Sequence, residues 1–137
     1  ERSRIFDWRS KKYPTEDVFQ DAVEQLLKDF QIAYVREKKF LNSRSRVDFE
    51  LNGLIHLECK ICSKSNIFIN AIGKAFLSKS EKKEAWLVIP DDISIRKDQL
   101  ELIQQNQIQI FSETGLRKKL AGQEPAQIQT KATGRPA

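Results

Sequence analysis

Apolar residues recur at Val18, Phe19, Ala22, Val23, Leu26, Leu27 and Phe30. Their period is near 3.6, which predicts a helix of about four turns with one buried face. Thr15 is placed as its N-cap, and Glu16 and Asp17 fall in the first turn, where the helix dipole favours acids. The period then changes. Ile32 to Val35 begin a strand that is expected to fray into Arg36-Glu37-Lys38-Lys39, and Asn42 to Arg46 form a polar, basic turn. Val47, Phe49 and Leu51 alternate with Asp48 and Glu50, the mark of a half-buried strand. Asn52-Gly53 is a hairpin signal, leading into a second strand over residues 54–61. There Leu57, Cys59 and Ile61 share one face, and His56, Glu58 and Lys60 the other.

Helical spacing returns over residues 66–79 at Ile67, Ala71, Ile72, Ala75 and Phe76. Gly73 inside that run is read as a close approach to the sheet. Ala85 to Ile89 is a continuous apolar run ended by Pro90, as in a strand covered on both faces. A short helix over 97–106 and a last strand through Ile108, Ile110 and Phe111 follow. The order α-β-β-β-α-β, then a short α-β, predicts an α/β (α+β) fold with a mixed central sheet flanked by helices. Residues 1–14 read as a basic arm anchored by Phe6 and Trp8, residues 15–120 as a single domain, and residues 121–137 as a flexible tail.

Composition narrows the classes. The 137 residues carry 24 Lys+Arg against 19 Asp+Glu, a formal net charge of +5, which favours a polyanionic partner without deciding it. No apolar run is long enough to span a membrane and nothing at the start reads as a secretory signal. The expected setting is intracellular: cytoplasmic and nucleoid-associated, or another DNA-containing compartment. The lack of any methionine points to processing at the start. Cys59, Cys62 and His56 have no second cluster to complete a zinc site, and Cys59 lies in a strand, not at the helix start a redox pair uses. Two reduced thiols is the plainer reading. His56 is assigned a supporting or surface role, and Lys79, Lys82 and Lys83 a solvated helix end.

The hairpin holds the candidate chemistry. Counted from the Asn-Gly turn, Asp48, Glu58 and Lys60 converge at one edge of the sheet. Two carboxylates suit a hard divalent cation, normally Mg²⁺, with the backbone carbonyl of Cys59 as a further oxygen ligand. A lysine beside such an ion can orient a water and offset transition-state charge. Arg44 and Arg46 before Asp48, and Lys64 after Lys60, are candidate phosphate contacts.

Val47-Asp48, a short hairpin, then Glu58-Cys59-Lys60 followed by a helix resembles the PD-(D/E)xK nuclease superfamily, with Val47 where that family often has proline. The element order of residues 16–89 is similar to its restriction-endonuclease-like core. The resemblance implies metal-dependent phosphodiester hydrolysis, with Asp48 and Glu58 as metal ligands and Lys60 as the catalytic lysine. Mg²⁺ is the implied cofactor, with Mn²⁺ able to substitute. It also implies an acid from the first helix. Glu16-x-x-x-Gln20 is similar to the first helix of virus-type replication-repair nucleases, which favours Glu16, then Glu24. On the helix after the motif, Lys64, Asn70 and Lys74 are candidates for the polar or basic residue many members carry, and Asn70 and Lys74 share a face. Holliday-junction resolvases and small restriction or homing enzymes are the similar members. The expected partner is therefore DNA, met by a structure-specific enzyme for junctions or flaps or by a homodimer that cuts both strands. The alternatives are a non-catalytic nuclease-fold module that binds nucleic acid or a protein, and an RNA-cleaving member of related fold.

Overall fold

The computed structural model describes residues 8–125, 127–128 and 130–131. Helix α1 (Glu16–Asp29) is capped by Thr15, whose hydroxyl accepts from the Val18 N–H at 3.2 Å. Strands β1 (Tyr34–Lys39), β2 (Arg46–Leu51) and β3 (Ile55–Cys59) follow, then α2 (Ser65–Ser80) and β4 (Glu84–Ile89). After these come β5 (Ile95–Arg96), α3 (Lys97–Gln105), β6 (Ile108–Ser112), α4 (Glu113–Leu120) and β7 (Thr130–Lys131). Five strands form one mixed sheet in the order β1-β2-β3-β4-β6. The pairs β1–β2 and β2–β3 are antiparallel, while β3–β4 and β4–β6 are parallel. The chain is therefore a mixed α/β fold, and β3 is its central strand.

Each face of the sheet has its own core. On one side Phe19, Val23, Leu26 and Leu27 of α1 and Leu116 of α4 pack on Phe49, Leu51, Leu57, Cys59, Trp86 and Val88. On the other, Phe68, Ala71 and Ala75 of α2 and Ile103 of α3 pack on Ala85, Leu87, Ile89 and Ile108. The alternation Ala85/Trp86/Leu87/Val88/Ile89 thus feeds both cores, which is why β4 reads as an unbroken apolar run. No helix among the described residues is long and apolar enough to cross a membrane.

Several expectations need correction. β1 does not fray: it pairs with β2 through Lys39, with alternate residues half-buried. The buried face of α2 is set by Phe68, Ala71, Ala75 and Ser78, while Phe76 is 74% exposed and Gly73 faces open space, not the sheet. Residues 113–120, unassigned in the sequence reading, form α4, with Ser112 capping it through the Gly115 N–H. The described part of the N-terminal arm is docked. Asp92 accepts from Ser10 Oγ and from the backbone N–H groups of Lys11 and Lys12, and Tyr13 joins the first core. Trp8 is 45% exposed, with its carbonyl accepting from the Ser63 N–H, and Phe6 lies outside the described residues. Within the expected tail, Thr130–Lys131 pair in parallel with β5.

The hairpin turn sets the register that matters. Asn52 and Gly53 both have positive φ (53° and 70°), as a type I′ turn requires, and the Leu54 N–H donates to the Leu51 carbonyl. Leu54 adds a third loop residue, so Leu51 faces Ile55 and Phe49 faces Leu57. The next position in that register sets Asp48 opposite Glu58. A two-residue loop would have set Asp48 opposite Leu57, against the alternation of the whole strand.

Candidate functional site

The site forms where β2 and β3 splay. Asp48 Oδ2 accepts from the Cys59 N–H at 2.8 Å, and the Asp48 N–H donates to Glu58 Oε1 at 3.0 Å. Side-chain oxygens take the place of the ladder at this point. On the other side of β2 the pairing with β1 also skips a position: Arg36–Phe49 and Lys38–Val47 pair, but Glu37, opposite Asp48, sits at φ 57°. That conformation is unusual for a residue with a side chain. Asp48 is thus released from regular pairing on both flanks.

β3 and α2 meet along a row of polar pairs. Lys60 Nζ donates to Asn70 Oδ1 at 3.1 Å, Lys74 Nζ lies 3.3 Å from Glu58 Oε2, and His56 Nδ1 is 2.8 Å from Ser78 Oγ. The geometry explains the spacing. Two strand residues advance about 6.6 Å, and four helical residues advance about 6.0 Å. Positions 56, 58 and 60 therefore stay in step with 78, 74 and 70 as the helix runs back along the strand.

Burial and like charge dominate the electrostatics. Asp48 and Glu58 are 8% and 5% exposed. Burial, then the neighbouring Glu58, pushes the Asp48 carboxyl up to about 7, against the pull of the Cys59 N–H and Lys74. Burial also raises Glu16, opposed by Lys60, whose Nζ is 4.0 Å from Glu16 Oε2. Glu58 Oε2 is buried and accepts no hydrogen bond among the described residues, although Lys74 and Lys60 (3.6 Å) lie within ion-pair range. Two adjacent carboxylates, one with an oxygen left unbonded, form a set of hard donors suited to a hard cation. Among the described residues no three His, Cys, Asp or Glu side chains are grouped to hold a metal ion. Two carboxylates could hold only an ion that keeps several of its waters, as Mg²⁺ does.

Asp48, Glu58, Lys60, Glu16, Asn70 and Lys74 are thus brought into one cluster. Cys59 contributes its N–H, while its thiol is fully buried and pushed well up, first by burial and then by Asp48 and Glu58. Cys59 and Cys62 are both free thiols. Lys64 stands at the N-cap of α2, with its Nζ 5.0 Å from the centre of the Trp8 ring. Arg44 and Arg46 are exposed, and Arg46 donates to the Glu37 carbonyl, so no direct contact joins either to the carboxylates. Glu24 is elsewhere: it pairs with Arg36 and accepts from Tyr34. His56 is buried, not superficial. It bridges Ser78 to Glu50 (Nε2 to Oε2, 3.0 Å), with Phe40 edge-on to its ring. Glu50 and Ser78 escaped the sequence reading, though Ser78 continues the four-residue spacing of Asn70 and Lys74. Lys79 and Lys83 are tied to backbone carbonyls at Gln107 and Gly53.

Compared with protein-family models, curated proteins and solved structures, the chain matches none.

Proposed function

We propose that this chain is a Mg²⁺-dependent endonuclease that hydrolyses DNA phosphodiester bonds, with Mn²⁺ able to substitute. The observation that carries the reading is the pair of buried carboxylates, Asp48 and Glu58, locked to each other's strands with Lys60 3.6 Å from Glu58. A restriction-endonuclease-like core is supported by the order α-β-β-β-α-β over residues 16–89 and by the Val47-Asp48 and Glu58-Cys59-Lys60 segments that end its hairpin.

Asp48, Glu58 and the Cys59 carbonyl would hold the ion, and Glu16, 4.0 Å from Lys60 Nζ, stands beside the catalytic lysine. Bound there, a divalent cation supplies Lewis-acid polarisation of the phosphodiester and a more acidic water. The chain's own groups do the rest. Asn70 fixes Lys60, which orders the attacking water and offsets the negative charge that grows on the phosphate. The net charge of +5 supports a polyanionic substrate, and the exposed Arg44, Arg46 and Lys64 are the groups to meet phosphates beside the scissile bond. A homodimer would cut both strands. A monomer would act on junctions or flaps.

The test is Lys60→Met. Cleavage of DNA with Mg²⁺ is lost and DNA binding retained. Undiminished cleavage by the variant would overturn the assignment of Lys60.

A further inference from the structure

We infer that Lys74 is a resident counter-ion of the metal-free site, and that it must leave Glu58 when a divalent cation binds. The inference rests on the metal reading above and concerns what happens before substrate arrives.

Lys74 Nζ lies 3.3 Å from Glu58 Oε2, the buried oxygen that accepts no hydrogen bond. An ion coordinated at that oxygen would sit about 2.1 Å from it. Ion and ammonium would then be at most about 5.4 Å apart, beside carboxylates only 8% and 5% exposed. Repulsion at that separation opposes joint occupancy, and Lys60 Nζ, 3.6 Å from the same oxygen, meets it too, so the ion displaces whichever ammonium is held less firmly.

Which ammonium yields follows from how each is held. Lys60 is bonded to Asn70 Oδ1 and its side chain is 9% exposed. The Lys74 side chain is 23% exposed, and Glu58 is its one ion-pair partner among the described residues. Lys74 also stands on a helix, with a flexible stem that reaches solvent by rotating about its own bonds. The exchange leaves a free ammonium beside the loaded site, placed to receive a phosphate oxygen. Metal entry and phosphate capture are thereby coupled, and metal binding without nucleic acid is held weak.

The experiment is calorimetric titration of Mn²⁺ into the metal-free full chain with no nucleic acid present. Lys74→Met, which keeps the stem and removes the charge, binds Mn²⁺ about tenfold tighter than the wild type. Lys74→Gln carries the same expectation should Met not be tolerated at the position, and Lys74→Arg stays close to wild type. In chelator, Lys74→Met unfolds at a lower temperature than wild type, and saturating Mn²⁺ closes the gap. Equal or weaker Mn²⁺ binding by both neutral variants overturns the inference and leaves the nuclease reading standing. No Mn²⁺ uptake by any of the proteins overturns both.

Discussion

Asp48 and Glu58 each bond the other's strand: the Asp48 N–H donates to Glu58 Oε1, and Asp48 Oδ2 accepts from the N–H that follows Glu58. This reciprocal pairing fixes two buried carboxylates side by side, an arrangement that costs stability while no cation is bound.

That cost predicts a pH dependence. The folded Asp48 carboxyl is raised from 3.8 to about 7, by burial and then by Glu58. For a group raised on folding, the stabilising contribution is complete below about 3.8 and is lost as pH rises through about 7. Metal-free wild type therefore loses stability across that window. Asp48→Asn keeps the acceptor for the Cys59 N–H and removes the charge, so it is more stable than wild type at pH 8, with a flatter profile. Urea unfolding in chelator from pH 4 to 8 measures both, and a variant less stable than wild type at pH 8 would contradict the electrostatic argument.

The orientation of α2 gives a second prediction. Phe68 is 2% exposed in the second core, and Phe76 is on the outer face. Phe68→Ala costs about 3–5 kcal/mol in urea unfolding. Phe76→Ala changes stability by no more than about 0.5 kcal/mol. Equal losses would contradict the burial of Phe68 in the second core.

How far this was legible in the sequence depends on period. Strand alternation put His56, Glu58 and Lys60 on one face, and helical spacing paired Asn70 with Lys74, so most of the cluster could be read from order and spacing. The face of α2 was legible only in part: Ala71 and Ala75 are buried as their spacing predicts, and Phe76 is not. Ile69 and Phe76 are as apolar as the residues that are buried, and only packing against Ala85 and Leu87 decides between them, with Ile72 half-buried at the margin. The docking of residues 10–13 was hidden for a similar reason: Asp92 lies some eighty positions away and caps their N–H groups. Charge alone made the segment look like a free basic arm.

His56 supplies a third prediction. It is 1% exposed and joins Ser78 to Glu50, so His56→Ala removes a buried partner from both, leaving Glu50 with Lys83 at 3.8 Å and the Ser78 hydroxyl donating to the Lys74 carbonyl. The expected loss is about 2–4 kcal/mol. A loss under about 1 kcal/mol would show that the network contributes little.

Asn70 is a positioning residue, bonded to Lys60 at 3.1 Å. Asn70→Ala lowers the cleavage rate about tenfold, while stability changes by about 1 kcal/mol or less. Asn70→Asp, which keeps the acceptor, restores part of the rate. A rate unchanged in Asn70→Ala would remove Asn70 from the site.

The central claim is that paired Asp48 and Glu58 serve metal-dependent hydrolysis of DNA. Its most direct test is incubation of the full chain with Mg²⁺ and a panel of duplex, flap and four-way-junction DNA, with Asp48→Asn in parallel. The account predicts Mg²⁺-dependent cleavage of at least one substrate by the wild type and none by the variant, which is folded and at least as stable. No cleavage of any substrate by the wild type, or equal cleavage by Asp48→Asn, would contradict it.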